Sequence, residues 1–100
     1  AASYAVSKAA VAHMTKIQAL ELALHRIRVN AIAPGYFLTE LTEEFLTSPA
    51  GENLKRRIPM RRIGKMSELD GLLLLLASDA GSFITGAVIP VDGGHLLSSL

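Results

Sequence analysis

Cysteine is missing from this chain of 100 residues, and its absence excludes both disulfide bonds and thiolate metal sites. The lack of cysteine leaves the redox compartment undetermined but is compatible with the cytosol, and we expect a cytoplasmic location. The three histidines, His13, His25 and His95, are scattered, without the paired spacing that histidine ligands show in metalloenzymes. We therefore predict that the chain binds no metal.

Neither sign of charge is in clear excess, and no long hydrophobic run occurs. Ten Lys and Arg residues stand against nine Asp and Glu residues, which gives a formal net charge of +1. A field this weak predicts no nucleic-acid partner. No stretch reaches the roughly 18 consecutive apolar residues that a membrane span requires, and the first residues lack the pattern of a signal peptide. We therefore expect no membrane partner.

The chain has eight glycines but no glycine-rich phosphate loop. The dinucleotide motif Gly-x-Gly-x-x-Gly does not occur, so the sequence provides no such backbone cradle for a pyrophosphate. Gly81 and Gly86 have the outer spacing of a P-loop, but Ala87 stands where that loop needs a lysine. We interpret both glycines as turn residues.

What the sequence does contain is an alternation of helix and strand signals. Apolar residues recur at helical spacing over residues 2–24, where alanine is also plentiful, and this pattern predicts a long helix. Residues 27–33 are rich in β-branched and small apolar side chains and predict a buried strand that ends at Pro34 and Gly35. Ligands bind beyond the carboxyl ends of strands in open α/β sheets, so residues 34–39 are a candidate binding loop.

The rest of the chain predicts a second helix and a second strand. Over residues 39–65 the pattern weakens into short helical pieces, and a long irregular segment of this kind is often a substrate lid. Ser67 and Asp70 have the spacing of a capping box and predict a helix over residues 69–80. Residues 87–91 predict a final strand, and the proline inside it indicates a sheet edge. Strand, helix and strand in this order predict a right-handed parallel crossover.

Tyr4 and Lys8 are four residues apart in the first predicted helix, so their side chains project from one face. A free tyrosine keeps its proton up to roughly pH 10, but a nearby ammonium favours the phenolate and lowers the pKa of the phenol. Such a tyrosine can act as a general acid or base. The pair by itself is also compatible with a half-buried tyrosine beside a solvated lysine.

Two further motifs follow in the order seen in one known family. Residues 28–39 read Arg-Val-Asn-Ala-Ile-Ala-Pro-Gly-Tyr-Phe-Leu-Thr, and residues 86–94 read Gly-Ala-Val-Ile-Pro-Val-Asp-Gly-Gly. Together with Tyr4 and Lys8, they resemble the second half of a short-chain dehydrogenase/reductase. The resemblance implies an α/β chain that forms the C-terminal part of a doubly wound parallel-sheet Rossmann-type fold. Residues 1–100 are then expected to be a partial single domain without the glycine-rich N-terminal half.

The resemblance also implies roles for individual residues. In that family the tyrosine gives or takes the proton of the substrate oxygen while a hydride moves to or from the nicotinamide, and the lysine also holds the nicotinamide ribose. Tyr4 is thus the expected acid/base, Lys8 is expected to lower its pKa, and both are expected to contact the cofactor. The loop after the first strand supplies the remaining expected contacts: Pro34, Gly35, Phe37 and Thr39 for the cofactor, and Gly35, Tyr36 and Leu38 for the substrate.

The implied activity is hydride transfer between NAD or NADP and a small-molecule ketone or secondary alcohol. In the family, the catalytic serine and the residue that distinguishes NAD from NADP precede the tyrosine helix, so the 100 residues alone are expected to be incomplete and inactive. The alternative interpretation is a noncatalytic assembly fragment that uses its two apolar helices to dimerise.

The second helix also predicts self-association. Helical spacing groups four leucines into one stripe that can cover a sheet: Leu69, Leu72, Leu73 and Leu76. Leu74 and Leu75 then point elsewhere, and a large apolar patch left in water usually marks an interface. Because the family commonly forms dimers and tetramers, we expect a homodimer or homotetramer.

Several polar residues remain to be placed. Six of the ten cations lie within eleven residues: Lys55, Arg56, Arg57, Arg61, Arg62 and Lys65. They predict a solvated basic surface, with recognition of a phosphate or carboxylate as the alternative. We predict that His95 lies on the surface, that His13 packs within its helix and that Asn30 makes structural hydrogen bonds. Thr39 has a second possible role as the N-cap of a helix that starts near Glu40.

Overall fold

The computed structural model describes residues 2–97, and for Tyr4 it describes the backbone only. Over this range the chain forms both helices and short strands. In chain order they are α1 (Ala2–Leu22), β1 (Ala31–Pro34), β2 (Phe37–Leu38), α2 (Glu43–Leu46), α3 (Pro49–Lys55), β3 (Gly64–Lys65), α4 (Asp70–Ala77) and β4 (Val88–Val91). Short 3₁₀ turns are found at Ala23–His25, Met66–Leu69, Asp79–Gly81 and His95–Leu97.

The chain divides into two compact units. The first comprises Ala1–Ile32 and Leu74–Ile89, and the second comprises Ala33–Leu73 and Pro90–Leu100. The helix α1 therefore lies in the first unit, and the β2–β3 pair lies in the second. Residues 39–65 lie wholly in the second unit, where they form the short helical pieces that the sequence indicates.

The helix α1 is rich in alanine, the strongest helix former, and it buries small side chains rather than large ones. Among its described side chains, those of Thr15 and Ala19 are buried, at 6% and 4% exposure. The Thr15 hydroxyl is satisfied within the helix, because it donates to the Val11 carbonyl over 2.8 Å. A Cβ at Gly86 would lie 3.5 Å from the Ala19 Cβ, so this face is closely covered. His13, which we predicted to be packed, is exposed.

The strands β1 and β4 form a two-stranded sheet. The Ala31 N–H donates to the Ala87 carbonyl over 2.9 Å, and the Gly35 N–H donates to the Val91 carbonyl over 3.0 Å. Both partners advance by four residues between these two bonds, which is the register of parallel strands. The parallel arrangement predicted from the strand, helix and strand order is therefore found.

The strand predicted over residues 27–33 is shorter in the structure, where β1 begins only at Ala31. The backbone just before β1 bonds to a side chain instead of a strand, because the Val29 N–H donates to the Thr85 hydroxyl over 3.1 Å. The pattern of apolar residues in a sequence does not show that a backbone N–H will bond to a side chain in place of a neighbouring strand.

The side chain of Asn30 joins the segment just before β1 to the segment just before β4. Its side-chain amide donates to the Ile84 carbonyl over 3.0 Å, and its side-chain oxygen accepts from the Ala87 N–H over 3.0 Å. One side chain thus satisfies a backbone acceptor and a backbone donor that lie more than 50 residues along the chain. The structural role predicted for Asn30 is confirmed.

The helix predicted to start near Ser67 is entered through a 3₁₀ turn over Met66–Leu69, and α4 follows. Its cap also differs from the predicted one. The carboxylate of Glu68, rather than that of Asp70, folds back and accepts from the N–H of Lys65 over 2.9 Å. The predicted capping box is therefore wrong by two residues, because Glu68 stands three residues after the real start of the turn.

The leucines around α4 form a narrower stripe than predicted. Three of them are half-buried: Leu69, Leu72 and Leu76. Leu73 was expected to join them, but it is 57% exposed, and Leu74 is 68% exposed. Positions three and seven residues after Leu69 lie on one side of it around the helix, whereas Leu73 lies on the other side. The side of the helix that carries Leu72 and Leu76 is thus partly covered, whereas the side that carries Leu73 is exposed.

Leu46 and Ile58 form the buried centre of the second unit, each at 2% exposure. The helix α3 begins where the Ser48 hydroxyl accepts from the Gly51 N–H over 3.3 Å, with Pro49 at the first helical position. Gly51 is itself buried, and a Cβ there would lie 2.5 Å from the carbonyl carbon of Leu46. The glycine therefore allows the two short helices to approach closely.

Candidate functional site

Tyr4 and Lys8 lie in the first unit, on the unbroken helix α1. Because the backbone is helical through both positions, the two residues are separated by about one turn and belong to one face. The side chain of Tyr4 lies outside the described part of the chain. The structure therefore supports the predicted spacing through the backbone.

Gly35 opens the loop that follows β1, in the second unit. A Cβ at this position would lie 2.7 Å from the Asp92 Cβ and 2.9 Å from the Asp92 Cα. No side chain fits at that distance, so the residue must be glycine if the loop is to pass beside Asp92. Gly35 thus has a packing role that the sequence did not indicate, in addition to its expected ligand contacts.

Phe37 lies in β2, which pairs with β3 in parallel register opposite Gly64. The Gly64 N–H donates to the Tyr36 carbonyl over 2.9 Å. Successive residues of a strand point their backbone groups to opposite edges, so the N–H and C=O of Phe37 face away from β3. On that far edge the Phe37 carbonyl accepts from the Thr42 hydroxyl over 2.9 Å.

Thr39 and Thr42 form reciprocal hydrogen bonds, in which the backbone N–H of each donates to the hydroxyl of the other. The Thr39 N–H donates to the Thr42 hydroxyl over 3.0 Å, and the Thr42 N–H donates to the Thr39 hydroxyl over 3.3 Å. The alternative role of Thr39 as the N-cap of a helix starting near Glu40 is wrong, because α2 begins at Glu43 and its N-cap is Thr42. When the Thr42 hydroxyl gives its single proton to the Phe37 carbonyl, the Thr39 hydroxyl is the donor in the 3.1 Å bond between the two hydroxyls, and its oxygen can still accept from another donor.

These groups fit a carboxamide, the group that the loop is expected to hold. A carboxamide has one acceptor oxygen and two N–H donors. The Phe37 N–H faces the edge of β2 away from β3, and the Thr39 hydroxyl oxygen can accept beside it. One donor and one acceptor in the loop are therefore suited to the carboxamide at the nicotinamide end of NAD or NADP.

A cavity of about 160 Å³ lies in the second unit. Its lining residues are Tyr36, Phe37, Met60, Arg62, Gly64, Glu68, Val91, Asp92 and Gly93. Pockets for drug-sized ligands are typically about 300–1,000 Å³, so this one admits a small group and not a whole dinucleotide. Of the predicted substrate contacts, Tyr36 lines the cavity, whereas Gly35 and Leu38 do not.

Arg62 and Glu68 form a two-pronged ion pair on the wall of this cavity. The two guanidinium nitrogens lie 2.6 Å and 2.7 Å from the two carboxylate oxygens. The hydrogen bonds from Arg62, followed by the backbone hydrogen bond from Lys65, lower the pKa of Glu68 to about 2. Glu68 in turn raises the pKa of Arg62. The pair therefore stays ionised well into acid solution.

Two ion pairs help to decide whether the six cations between Lys55 and Lys65 form a solvated surface or an anion site. Arg62 is engaged by Glu68, and Lys55 lies 2.8 Å from the Glu52 carboxylate. Arg56, Arg57, Arg61 and Lys65 are otherwise on or near the surface. Arg62 and Lys55 are thus paired with acids of the same unit, which favours the predicted solvated surface over an anion site. Spacing alone did not reveal the pairing of Arg62, because its partner lies six residues away, in the 3₁₀ turn that follows β3.

His95 does not lie on the surface as predicted, because it is half-buried. Its ring meets the Tyr36 ring edge to face, with 5.4 Å between the centroids and 80° between the planes. The two residues are 59 positions apart, so no local pattern could have shown this contact. His95 is a candidate site residue that reasoning from the sequence missed.

Among residues 2–97, no group of three or more His, Cys, Asp or Glu side chains is arranged to hold a metal ion. Over the same described range, no helix combines the length and the apolar character needed to cross a bilayer.

The chain matches known proteins over almost its whole length. A family model described as enoyl-(acyl carrier protein) reductase matches residues 1–95. The 3-oxoacyl-(acyl-carrier-protein) reductase FabG of Thermotoga maritima is 51% identical over 95 residues, which are 95% of this chain and 38% of that protein. The NAD-dependent glycerol dehydrogenase of Listeria innocua is 42% identical over 95 residues, covering 95% of this chain and 37% of that protein.

A solved structure agrees with these relatives. The NADP active-site complex of Pseudomonas aeruginosa RhlG matches with a TM-score of 0.85 and 42% identity, over 92% of this chain and 36% of that one. The chain belongs to the short-chain dehydrogenase/reductase family. Its predicted α/β class, a part of the Rossmann-type fold, is confirmed. The chain spans a little over a third of the length of these relatives, at 38% of FabG.

Proposed function

We propose that the complete protein carrying this chain is an oxidoreductase that moves a hydride between a nicotinamide cofactor and a small-molecule ketone or secondary alcohol. The observation that carries the proposal is the position of Tyr4 and Lys8, one turn apart on the unbroken helix α1. Family membership supports it, as do two relatives described as a reductase and as an NAD-dependent dehydrogenase.

In this proposal Tyr4 transfers a proton to or from the substrate oxygen, and Lys8 assists it. Tyr4 gives the proton of its phenol to the substrate oxygen during reduction and takes it back during oxidation. Lys8 holds a positive charge one turn away, which favours the phenolate that forms when the proton leaves. Lys8 also binds the ribose of the cofactor, and Tyr4 contacts the cofactor from the same face. NAD or NADP, when bound, supplies or accepts the hydride.

The loop after β1 orients the nicotinamide end of the cofactor. Pro34 and Gly35 set the path of the loop, and the Phe37 N–H and the Thr39 hydroxyl bind the carboxamide. The same loop is proposed to contact the substrate through Gly35, Tyr36 and Leu38. Residues 39–65 would act as the lid over this substrate.

Deuterium transfer tests the proposed reaction in the complete protein. NADH and NADPH deuterated at the hydride-donating carbon are each mixed with a 3-oxoacyl thioester or with dihydroxyacetone, and the product is analysed by mass spectrometry. We expect one deuterium on the former carbonyl carbon for at least one cofactor and ketone. The same assay with unlabelled cofactor in deuterated water is the control, and deuterium on that carbon from water would contradict direct hydride transfer.

We also propose that the complete protein is a cytoplasmic homodimer or homotetramer. Leu73 and Leu74 are 57% and 68% exposed on α4, and Leu75 is 38% exposed. Three neighbouring leucines in water are unfavourable, and a second copy of the chain would cover them.

Leu74→Glu in the complete protein is expected to lower its mass in solution to that of a smaller assembly or a monomer. A carboxylate in an apolar interface is costly unless it is paired, so the charged variant should dissociate. Leu74→Met is the matched control and should keep the parent mass, because it stays apolar. Light scattering of the three proteins decides the matter: a monomeric parent, or a Leu74→Glu variant of unchanged mass, would refute the interface.

A further inference from the structure

Tyr36 and His95 meet as an aromatic pair in the second unit. Their ring centroids are 5.4 Å apart, and their planes are nearly perpendicular at 80°. Edge-to-face contact is favourable because the positive edge of one ring meets the negative face of the other. Tyr36 lines the cavity and is 43% exposed, whereas His95 is half-buried. The more exposed ring is thus supported by the less exposed one.

Asp92 holds the turn that carries His95. Its carboxylate accepts from the Gly94 N–H over 2.9 Å and from the Leu96 N–H over 3.2 Å. Its backbone carbonyl accepts from the His95 N–H over 3.1 Å. Three hydrogen bonds that Asp92 accepts therefore fix the backbone that carries the His95 ring.

The same turn is anchored from a second side. Gly93 and Gly94 have φ angles of 63° and 88°, which suit glycine and bend the chain sharply. Cβ atoms added to them would approach Ile58 at 3.0 Å and Pro59 at 3.1 Å. The Met60 N–H donates to the Gly93 carbonyl over 3.1 Å. The turn is therefore pressed against the segment around Ile58, the buried centre of this unit.

Asp92 also contacts the backbone next to Tyr36. A Cβ at Gly35 would lie 2.7 Å from the Asp92 Cβ, so the two backbones are in direct contact. The Gly35 N–H donates to the Val91 carbonyl over 3.0 Å. The backbone that carries each ring is thus held by contacts with residues 91 and 92. The contact between the two rings then holds the Tyr36 side chain itself.

We propose that His95 is a positioning residue that fixes the ring of Tyr36 and thereby limits the size of the substrate. The inference rests on the proposed function, because it assigns substrate selection to the loop beside the expected nicotinamide site. His95 acts through the Tyr36 ring and does not contact the reacting atoms. Loss of the supporting ring would leave the phenol free to turn, and the wall of the cavity would become less selective.

The test compares three variants of the complete protein: His95→Ala, His95→Phe and His25→Ala. The ratio of kcat/KM is measured for a ketone that turns over and for its homologue with one more methylene group. His95→Ala should lower this ratio about two- to tenfold, the value of one aromatic contact. His95→Phe keeps a ring and should retain most of the ratio. His25→Ala removes an exposed histidine and should change nothing, and the KM for the cofactor should stay the same in all three.

A double variant separates positioning from a general loss of structure. If His95 acts through Tyr36, then Tyr36→Ala combined with His95→Ala should change the ratio no more than Tyr36→Ala alone. Additive effects would overturn the proposal, as would an unchanged ratio in His95→Ala.

A second measurement does not depend on turnover. The ring signals of Tyr36, assigned in the NMR spectrum by their loss in Tyr36→Phe, should shift and sharpen in His95→Ala but not in His25→Ala. Unmoved Tyr36 signals would overturn the positioning role even in an active protein. If the parent protein transfers no deuterium, the proposed function fails, and the Tyr36 signals still decide whether His95 holds the ring.

Discussion

Tyr4→Phe is expected to lower the kcat of the complete protein by roughly a hundredfold to ten-thousandfold, the contribution of a well-placed general acid or base. The substitution keeps the aromatic ring and removes the only proton that it can exchange. Affinity for the cofactor should fall far less than kcat, because the ring still occupies its place on α1. Steady-state kinetics with a saturating ketone, together with a cofactor titration, measure the two effects separately.

The control for this experiment is the fold of the variant. Tyr4 lies near the start of α1, far along the helix from the buried Thr15 and Ala19, so the melting temperature should change little. A Tyr4→Phe variant that keeps near-normal turnover would remove Tyr4 from the mechanism. A variant that unfolds would instead assign Tyr4 a structural role.

Lys8→Ala is expected to damage both the chemical step and cofactor binding. Without the ammonium one turn away, the phenolate of Tyr4 loses its electrostatic support, so the pH at which the oxidation rate rises should move upward. The ribose contact is lost at the same time, and the Kd for the cofactor should rise. A pH profile of kcat and a calorimetric titration with NAD and NADP measure these two changes.

Lys16→Ala supplies a matched control, since it removes an exposed lysine from the same helix eight residues later. It should leave kcat, the pH profile and the Kd unchanged. Lys8→Arg keeps the charge but not the compact ammonium, so it should restore the pH profile better than the cofactor affinity. Equal effects of Lys8→Ala and Lys16→Ala would show that net charge, and not the position of Lys8, is responsible.

The elements whose causes are local were predictable from the sequence. The helix over residues 2–24 is found as α1 because alanine-rich sequence favours a helix wherever it is placed. The turn at Pro34 and Gly35, the final strand and the spacing of Tyr4 and Lys8 follow in the same way from neighbouring residues. The family could be recognised for the same reason, since its motifs are short runs of adjacent residues.

Burial was harder to predict than secondary structure. The apolar pattern of α1 points to its large side chains, yet the buried residues are Thr15 and Ala19. The pattern around α4 placed Leu73 in the covered stripe, yet it is 57% exposed. Periodicity states which residues share a face of a helix. It does not state how much of that face another element covers.

The sequence by itself determined the local elements of this protein, its family and the order of its expected site residues. The tertiary structure alone decided which distant groups meet: Asn30 bonds to Ile84 and Ala87, and His95 stands against Tyr36. Local preference arises within a few residues, where the intervening chain dictates the geometry. The Tyr36–His95 contact depends instead on Asp92, which holds the turn of His95 and lies against Gly35, so it exists only once the chain has folded.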